Sequence, residues 1–203
     1  GVFGDKTKVI RAKSVGDKQW HTSNTNTWSS SSLNTYLNGK YLTSLGTLTN
    51  KIATTTWKVG GGSGANIETS VPKTAYQYEI ITPDKGQYGT EDTCDAQIGL
   101  MYVSDYYYSA SPSAWTLVGL NENDPTKDYR AAKTTNWLYL GSMEWTISRR
   151  SDRPSSAFYV SSTGLVGGGA VTNGDAVRPS FNLESSVKYV SGSGSMSDPI
   201  RIN

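Results

Sequence analysis

The sequence predicts an α+β fold, with one helical region near the N-terminus followed by many short strands. Two observations support this class. Apolar residues first recur at helical spacings of three to five positions, at Leu33, Tyr36, Leu37, Tyr41, Leu42 and Leu45. The later apolar runs are short and separated by glycine and serine turns. Helices and strands do not alternate along the chain, and no repeat of 20 to 50 residues is evident, so a βαβ series and a repeat protein are not favoured.

The first elements follow from this pattern. Lys8–Ala12 is predicted to be a strand, and the polar stretch that follows leads to the helical region. The predicted first helix is Ser31–Leu37, with N-cap candidates at Ser29–Ser32. An interruption at Asn38–Gly39 separates it from a second short turn over Tyr41–Leu45.

The middle of the chain is predicted to hold two strands around a loop-rich insertion. Ile52–Val59 is β-branched and ends at a glycine cluster, so it predicts a strand. The insertion covers about residues 60–95, with one strand expected at Tyr76–Ile81. The continuous apolar run Ile98–Val103 predicts a central strand, and Ser104 and Asp105 could cap a turn through the tyrosines that follow it.

The C-terminal half is predicted to be a series of strands with two tight turns, at Gly141–Ser142 and at Ser161–Thr163. The expected strands are Trp137–Leu140, Met143–Ser148, Ala157–Val160, Gly164–Val166, Ala176–Leu183, Val187–Val190 and Pro199–Ile202. Since 203 residues suit one domain, residues 1–203 are predicted to fold as a single unit.

The composition is typical of a secreted, β-rich protein. Only 35% of the residues are apolar, below the roughly 45% of ordinary globular domains, but 13 Tyr and 6 Trp supply large buried areas. No apolar run is long enough to span a membrane. An N-terminal anchor or signal is expected ahead of Gly1, outside this sequence.

Charge and cysteine content exclude several classes. The net charge is +2, so the chain carries no field that favours nucleic acid or an anionic membrane. Cys94 is the only cysteine, which excludes an intrachain disulfide and a cysteine-based zinc site. His21, the only histidine, is the one side chain that could activate Cys94, and nothing in the sequence brings the two together.

Motifs for catalysis and cofactors are missing, so we expect a protein that is not an enzyme and has no cofactor or metal. The sequence has neither a G-x-S-x-G elbow nor an H-E-x-x-H pair. The segment Gly60–Gly64 lacks the lysine of a phosphate loop and is interpreted as a flexible turn. Glu122, Asp124 and Asp128 offer oxygen ligands, but their spacing does not match a calcium loop, so a calcium site is unsupported.

Four ordered motifs give the chain a family resemblance. They are Trp28–Asn38 (WSSSSLNTYLN), Ile98–Tyr106 (IGLMYVSDY), the pair Asn136–Leu138 with Trp145–Ser148 (NWL and WTIS), and Val177–Leu183 (VRPSFNL) followed by Val187–Pro199. Together they resemble a large family of bacterial surface domains of unknown function, common in Firmicutes (the DUF6273-like group). The resemblance covers about Lys8 to Ile202.

The resemblance implies a C-type-lectin-like fold, related to that of the formylglycine-generating enzyme, displayed on the cell surface behind a pilin-type or secretory N-terminus. The order of Trp145–Ser148, Ala157–Val160 and Val177–Pro179 is also similar to the variable region of proteins diversified by retroelements. The sugar-binding Glu-Pro-Asn and Trp-Asn-Asp motifs of calcium-dependent lectins are absent, and one cysteine cannot supply the cysteine pair of the formylglycine-generating enzyme.

Two neighbouring loops are the predicted ligand site. The segment from Arg149 to Ser156 holds three arginines in five residues, whose forks can grip carboxylate, phosphate or sugar hydroxyls. A solvated turn that only keeps the surface soluble is the equally weighted alternative. The resemblance places a second loop beside it. The predicted ligand-binding residues are Arg149, Arg150, Ser151, Asp152, Arg153, Ser155, Tyr159, Thr172, Asn173 and Asp175.

Other conspicuous side chains are predicted to be structural. The three tyrosines Tyr106–Tyr108 could form a binding platform, but the edge of a core is favoured. Trp137 and Trp145 are expected in the core, and Arg178 is expected in a buried structural pair.

The sequence therefore predicts an extracellular binding or adhesion domain, whose partner is a protein or glycan on another surface. The resemblance also allows it to be one of the retroelement-diversified variable proteins. Neither nucleic acid nor direct membrane contact is expected. The alternative is a structural subunit of a pilus or surface assembly, in which the loops are incidental.

Overall fold

The computed structural model describes residues 2–3, 6–88, 91–195 and 197–203, without the side chains of residues 2 and 3. The residues outside this description are Gly1, Gly4, Asp5, Gly89, Thr90 and Met196, of which Gly89 and Thr90 fall in the predicted insertion. No helix in the described ranges is both long and apolar enough to cross a membrane.

Thirteen short strands are described. They are β1 (Val2–Phe3), β2 (Lys6–Ile10), β3 (Asp17–Gln19), β4 (Thr55–Lys58), β5 (Thr93–Ala96), β6 (Ile98–Gly99), β7 (Glu144–Arg149), β8 (Ser156–Val160), β9 (Val166–Ala170), β10 (Gly174–Ala176), β11 (Ser180–Asn182), β12 (Tyr189–Ser191) and β13 (Arg201–Ile202). A five-stranded sheet has the order β3-β10-β7-β8-β9, and a four-stranded sheet has the order β1-β2-β11-β6. Two ribbons, β4–β5 and β12–β13, complete the set. All neighbours are antiparallel except β7 and β10.

The helices are few and short. The α-helices are α1 (Ser32–Tyr36), α2 (Leu42–Ser44), α3 (Gly64–Ile67), α4 (Pro72–Tyr76) and α5 (Val103–Tyr108). Two π-helical turns follow α1 and α4, at Leu37–Tyr41 and Gln77–Ile81, and 3₁₀ turns occur at Gly46–Lys51, Pro112–Thr116, Pro125–Lys127 and Tyr129–Thr134. The predicted mixture of short strands, mainly antiparallel, with few short helices is confirmed.

The N-terminal helical region forms as its spacing predicts. The Ser31 hydroxyl caps α1 by accepting from the Asn34 amide at 3.0 Å, and Leu33, Leu37 and Tyr41 are buried. The expected interruption at Asn38–Gly39 is the π-helical turn. There the Asn38 side chain accepts from the backbone N–H of Ile98 and donates to its carbonyl, both at 2.9 Å. That exchange ties the helical region to β6.

Aromatic side chains supply much of the core, which compensates for the low apolar content. One cluster contains Trp20, Trp57 and Trp145, whose indole N–H groups donate to buried carbonyls, each at 3.0 Å. A second cluster packs Tyr106, Tyr107, Tyr129 and Phe158 together with aliphatic side chains. Because each polar ring atom in these indoles has a partner, burial of the ring carries no unsatisfied donor.

Three strand predictions are wrong. Tyr76–Ile81 is helical, because Pro72 starts α4 and the helix continues through the π-helical turn. Of the predicted central strand only Ile98–Gly99 pairs as a strand, and α5 begins at Val103. Trp137–Leu140 is a turn that precedes β7.

The Gly60–Gly62 cluster is packed, not the flexible turn that its composition suggested. All three glycines are buried, and Gly62 pairs in parallel with Arg150. Gly61 has φ of +75°, and a side chain there would collide with the carbonyl of Arg149. Glycine is needed here because two backbones approach closely.

A buried ion pair connects the two main sheets. The Arg178 guanidinium binds the Glu144 carboxylate through two bonds, at 2.6 and 2.8 Å, and also donates to the carbonyl of Leu138. Both side chains are almost fully buried. Burial raises the pKa of Glu144, and the Arg178 guanidinium opposes that rise. The prediction of a buried structural pair is confirmed.

Replacing Arg178 with Ala should lower the free energy of unfolding by roughly 3–5 kcal/mol, because it leaves the Glu144 carboxylate buried without a partner. Urea denaturation measures the change. The control is Arg201→Ala, whose side chain is 58% exposed and should cost less than about 0.5 kcal/mol. Replacing both partners, as Glu144→Leu with Arg178→Met, should restore part of the loss. A single variant as stable as the control would show that the pair contributes nothing.

Candidate ligand-binding site

The two predicted loops do lie side by side. One joins β7 to β8, and the other joins β9 to β10. Ser156 pairs with Ala170 at the end of the β8–β9 ladder, and the Val171 amide donates to the Ser155 carbonyl at 3.0 Å. The two chain segments therefore leave the five-stranded sheet at the same end.

Arg149 does not belong to the surface of these loops. Its side chain is 1% exposed, and it donates to the carbonyls of Val59 at 3.2 Å and Lys85 at 3.0 Å. Its Nη1 has no partner among the described residues. Burial lowers the pKa of the guanidinium. The expectation that Arg149 is exposed to ligand is wrong, because β7 turns this side chain towards the 59–61 and 85 segments.

Arg150 is already engaged within the protein. Its fork binds both oxygens of Asp152, at 3.0 and 2.7 Å, and a further nitrogen binds Glu68 at 3.0 Å. The guanidinium also lies over the Phe158 ring, at 5.7 Å from the centroid. The hydrogen bond to Asp152 raises the pKa of Arg150, so the guanidinium stays charged and paired. Its donors hold the loop together.

Two more predicted contact residues are buried. Ser151 is 1% exposed, and its amide donates to the Gly62 carbonyl at 2.9 Å. Asp175 is buried within β10, and burial, with the nearby Asp17 charge, raises its pKa. Oδ2 of Asp175 and Oγ of Ser151 both lack a hydrogen-bond partner among the described residues. Their predicted exposure is wrong, because each lies on backbone that is paired with a neighbouring segment.

The remaining predicted contacts are only partly available. Arg153 and Asn173 are exposed, and Ser155 and Thr172 are half-buried. Tyr159 packs edge-on against Trp145, with centroids 6.2 Å apart. Of the predicted ligand-binding residues, Arg153 and Asn173 are therefore the two that are exposed and outside an internal ion pair.

Asn26, which the sequence did not single out, organises the first loop. Its amide nitrogen donates to the carbonyls of Arg150, Arg153 and Ser156, at 2.8, 2.9 and 2.6 Å. These partners are more than 120 positions away along the chain, so local spacing carries no signal of the contact.

A cleft of about 610 Å³ lies on another part of the surface, between β2, the α4 region, α5 and the turn before β7. Its volume is typical of small-molecule sites, which span roughly 300–1,000 Å³. The lining residues are mainly apolar and aromatic: Lys8, Val9, Ile10, Tyr76, Ile80, Met101, Tyr102, Ser104, Asp105, Tyr108, Ser109, Trp137, Leu138 and Ser180.

Three aromatic side chains at this cleft are open to solvent. Trp137 is 67% exposed, Tyr108 42% and Tyr76 38%. Tyr108 meets Tyr76 and Trp115 edge-on, with centroids 6.4 and 5.2 Å away. We call Trp137, Tyr108 and Tyr76 the aromatic rim.

The rim corrects two expectations about aromatic residues. The core prediction is confirmed for Trp145, which is fully buried, and wrong for Trp137. The tyrosine triplet divides, since Tyr106 and Tyr107 are buried while Tyr108 is exposed. Consecutive residues of a helix point in directions about 100° apart, so α5 cannot bury all three.

The turn that carries Trp137 is fixed on both sides. The Asn136 amide nitrogen donates to the Tyr106 carbonyl at 2.7 Å, and its oxygen accepts from the Leu138 amide at 2.9 Å and from the Ser109 hydroxyl. The Leu138 carbonyl accepts from Arg178. The backbone is therefore held against α5 and the buried ion pair, while the indole of Trp137 remains outside.

One ion pair lies in the cleft. Lys8 binds Oδ2 of Asp105, and its ammonium group lies 4.7 Å from the Tyr102 ring centroid. The same Oδ2 accepts from the Tyr102 amide at 2.8 Å, which caps α5 as the sequence suggested for Asp105. The positive charge of Lys8 and the negative charge of Asp105 therefore compensate each other within the cleft. Ser180 adds a buried hydroxyl with no partner among the described residues.

Glu79 positions α5 and hence the cleft. This carboxylate is buried and accepts from the amides of Val103 at 3.0 Å and Ser104 at 2.8 Å, and from the Ser148 hydroxyl. Burial raises the pKa of Glu79, against the effect of these donors. Sequence reasoning missed this role, because Glu79 lies in a segment that was predicted to be a strand.

The remaining candidate groups have other partners. Nδ1 of His21 accepts from the Ser23 amide at 3.1 Å, and burial lowers the pKa of His21. Burial raises the pKa of the Cys94 thiol. Asp128 is bound by Arg130 at 2.6 Å. Among the described residues, no group of three or more His, Cys, Asp or Glu side chains could hold a metal ion.

Comparisons of the chain with protein-family models, with curated proteins and with solved structures found no match.

Arg149→Ala should lower the free energy of unfolding by roughly 2–4 kcal/mol, because the carbonyls of Val59 and Lys85 lose their donor and a cavity forms. Arg153→Ala, in the same loop but exposed, is the control and should change stability by less than about 0.5 kcal/mol. Urea denaturation of both variants makes the comparison. Equal stabilities would contradict the structural role of Arg149.

Glu79 should also make stability depend on pH. A raised pKa in the folded state stabilises the protein below the pKa of an unfolded glutamate, about 4.3, and this contribution is lost as the pH rises through the raised value. Between about pH 4.5 and pH 8, Glu79→Gln should therefore show a smaller fall in the free energy of unfolding than the wild type. Urea denaturation across this range measures it, with the exposed Glu122→Gln as control. Parallel curves for wild type and Glu79→Gln would refute the effect.

Proposed function

We propose that this chain is an extracellular ligand-binding or adhesion domain on a bacterial surface, and that its ligand occupies the cleft with the aromatic rim. The observation that carries the proposal is Trp137, which is 67% exposed on a turn whose backbone is fixed from both sides. An exposed indole on a fixed backbone beside a cleft is suited to contact with a partner.

Leaving the Trp137 indole exposed has a free-energy cost in the unbound protein. An exposed indole forgoes burial worth on the order of 2 kcal/mol in the free protein, and a ligand that covers it recovers that free energy. Because hydrogen bonds of Asn136 already hold the turn, little conformational entropy is lost when the ligand binds. Aromatic side chains on fixed backbone are the usual energetic centres of binding surfaces.

Three of the four motifs that carry the family resemblance contribute residues to the cleft, whereas the resemblance itself implied ligand contacts on the two C-terminal loops. Of the four motifs, Ile98–Tyr106 contributes four residues to the cleft, Asn136–Leu138 contributes Trp137 and Leu138, and Val177–Leu183 contributes Ser180. The C-type-lectin-like fold, the surface display and the retroelement-diversified alternative remain part of the proposal and rest on that resemblance. On this proposal the arginine loop is a structural element outside the ligand site, since Arg149 and Arg150 are engaged internally.

A structural role in a surface assembly is the second candidate. The β12–β13 ribbon exposes Tyr189, Val190 and Ile200, each by more than half. Exposed apolar side chains of this kind can contact a neighbouring subunit. This candidate places the interaction surface on the ribbon instead of the cleft.

Trp137→Ala and Tyr189→Ala separate the two candidates, because the two aromatic side chains are equally exposed, at 67% and 66%. Labelled wild-type domain should bind members of a panel of bacterial cells, animal cells and matrix coatings. Trp137→Ala should weaken that binding roughly tenfold or more, and Tyr189→Ala should leave it unchanged.

Thermal unfolding provides the control for this comparison, since both side chains are exposed and neither change should move the midpoint by more than a few degrees. Binding that survives Trp137→Ala and is lost in Tyr189→Ala would contradict the cleft and favour the assembly role.

A further inference from the structure

We propose that the occupant of the cleft is a neutral saccharide, stacked by a ring face on Trp137 and hydrogen-bonded by its hydroxyls to the groups around the aromatic rim. This inference rests on the proposed function, which places the ligand in the cleft. It adds the chemical class of that ligand.

The charged side chains of the cleft are paired with each other. Among the lining residues that the structure describes, Lys8 and Asp105 are the only charged ones, and they bind each other. An anionic ligand would have to compete with Asp105 for the ammonium group, and a cationic ligand would have to compete with Lys8 for the carboxylate. Since breaking a half-buried pair is unfavourable, the cleft favours a ligand without net charge.

The shape and chemistry of the rim are the second argument. A pyranose ring presents an apolar face of C–H groups bordered by hydroxyls. Trp137, Tyr108 and Tyr76 offer flat apolar rings that can cover such a face. The edge-on contacts of Tyr108 with Tyr76 and Trp115 hold its ring in place before a ligand arrives.

Polar groups for the hydroxyls are the third argument. Both hydrogen bonds of Asp105 fall on Oδ2, and its Oδ1 has no partner among the described residues. That oxygen can accept from a sugar hydroxyl. The indole N–H of Trp137 and the hydroxyl of Tyr108 likewise have no partner in the described part of the chain. Besides the Asp105 acceptor, the cleft thus offers one donor and one hydroxyl that can donate or accept.

A glycan array tests the class directly. The purified domain is applied to neutral hexose and N-acetylhexosamine oligosaccharides, each printed beside its sialylated and sulfated counterpart. We expect signal on neutral glycans, with roughly tenfold or greater loss for Trp137→Ala, a smaller loss for Trp137→Phe, and none for Tyr189→Ala. Signal confined to the sialylated or sulfated members, or unaffected by Trp137→Ala, would overturn the inference.

Acrylamide quenching places the saccharide on the rim. Trp20, Trp28, Trp57 and Trp145 are buried and Trp115 is half-buried, so Trp137 is the most accessible indole among the described residues. A neutral glycan that binds on the array should protect the tryptophan emission from the quencher. This protection should disappear in Trp137→Phe. Equal protection in that variant would place the glycan elsewhere and contradict the site.

Periodate treatment of the cell panel distinguishes failure of the inference from failure of the proposed function, because it cleaves the vicinal diols of saccharides. Trp137-dependent binding that is abolished by periodate and competed by a neutral glycan supports both. Trp137-dependent binding that survives periodate, with no signal on neutral glycans, overturns the saccharide and leaves the cleft as a site for another ligand. No Trp137-dependent binding to any surface and no array signal overturns both.

Discussion

The buried pair of Glu144 and Arg178 is the interaction on which both the fold and the cleft depend. Glu144 begins β7 of the five-stranded sheet, and Arg178 lies between β10 of that sheet and β11 of the other. The same guanidinium binds the Leu138 carbonyl, which ends the turn carrying Trp137. One buried charge pair therefore sets the position of the two sheets and the orientation of the exposed indole. Since burial of either charge alone is unfavourable, this arrangement is stable only when it is complete.

Some aromatic residues of this protein build the core and others lie exposed at the cleft. The tertiary surroundings of each residue decide which of the two it does. Trp145 donates to a carbonyl and packs in the core, whereas Trp137 is left outside by a turn that Asn136 holds. Tyr107 donates to the Ile67 carbonyl and is buried, while Tyr108, the next residue, faces the cleft. A chain with few aliphatic residues needs its indoles and phenols for the core, so the number of aromatic residues does not locate a binding surface.

Arginine shows the same ambiguity. Three arginines lie within five residues, but Arg149 is buried against carbonyls, Arg150 binds two carboxylates, and Arg153 is the one that is exposed. The first two hold the β7–β8 connection against the segments around Gly61 and Glu68. The run of arginines therefore marked a loop that is held by internal hydrogen bonds and ion pairs. The larger accessible surface for a ligand is the cleft, which carries little charge.

The sequence by itself determined the features that depend on near neighbours. Helical spacing and the serine N-cap candidates predicted α1, turn residues predicted the β8–β9 hairpin, and Trp145 and Arg178 were correctly expected to be buried. The tertiary structure decided the burial of Arg149, the exposure of Trp137 and the anchoring role of Glu79. The partners of Glu79 and Arg149 lie 24 to 90 positions away along the chain. The exposure of Trp137 depends on how Asn136 holds its turn against α5. Local periodicity reports which side of one element is apolar, but contacts between elements decide which side chains remain accessible.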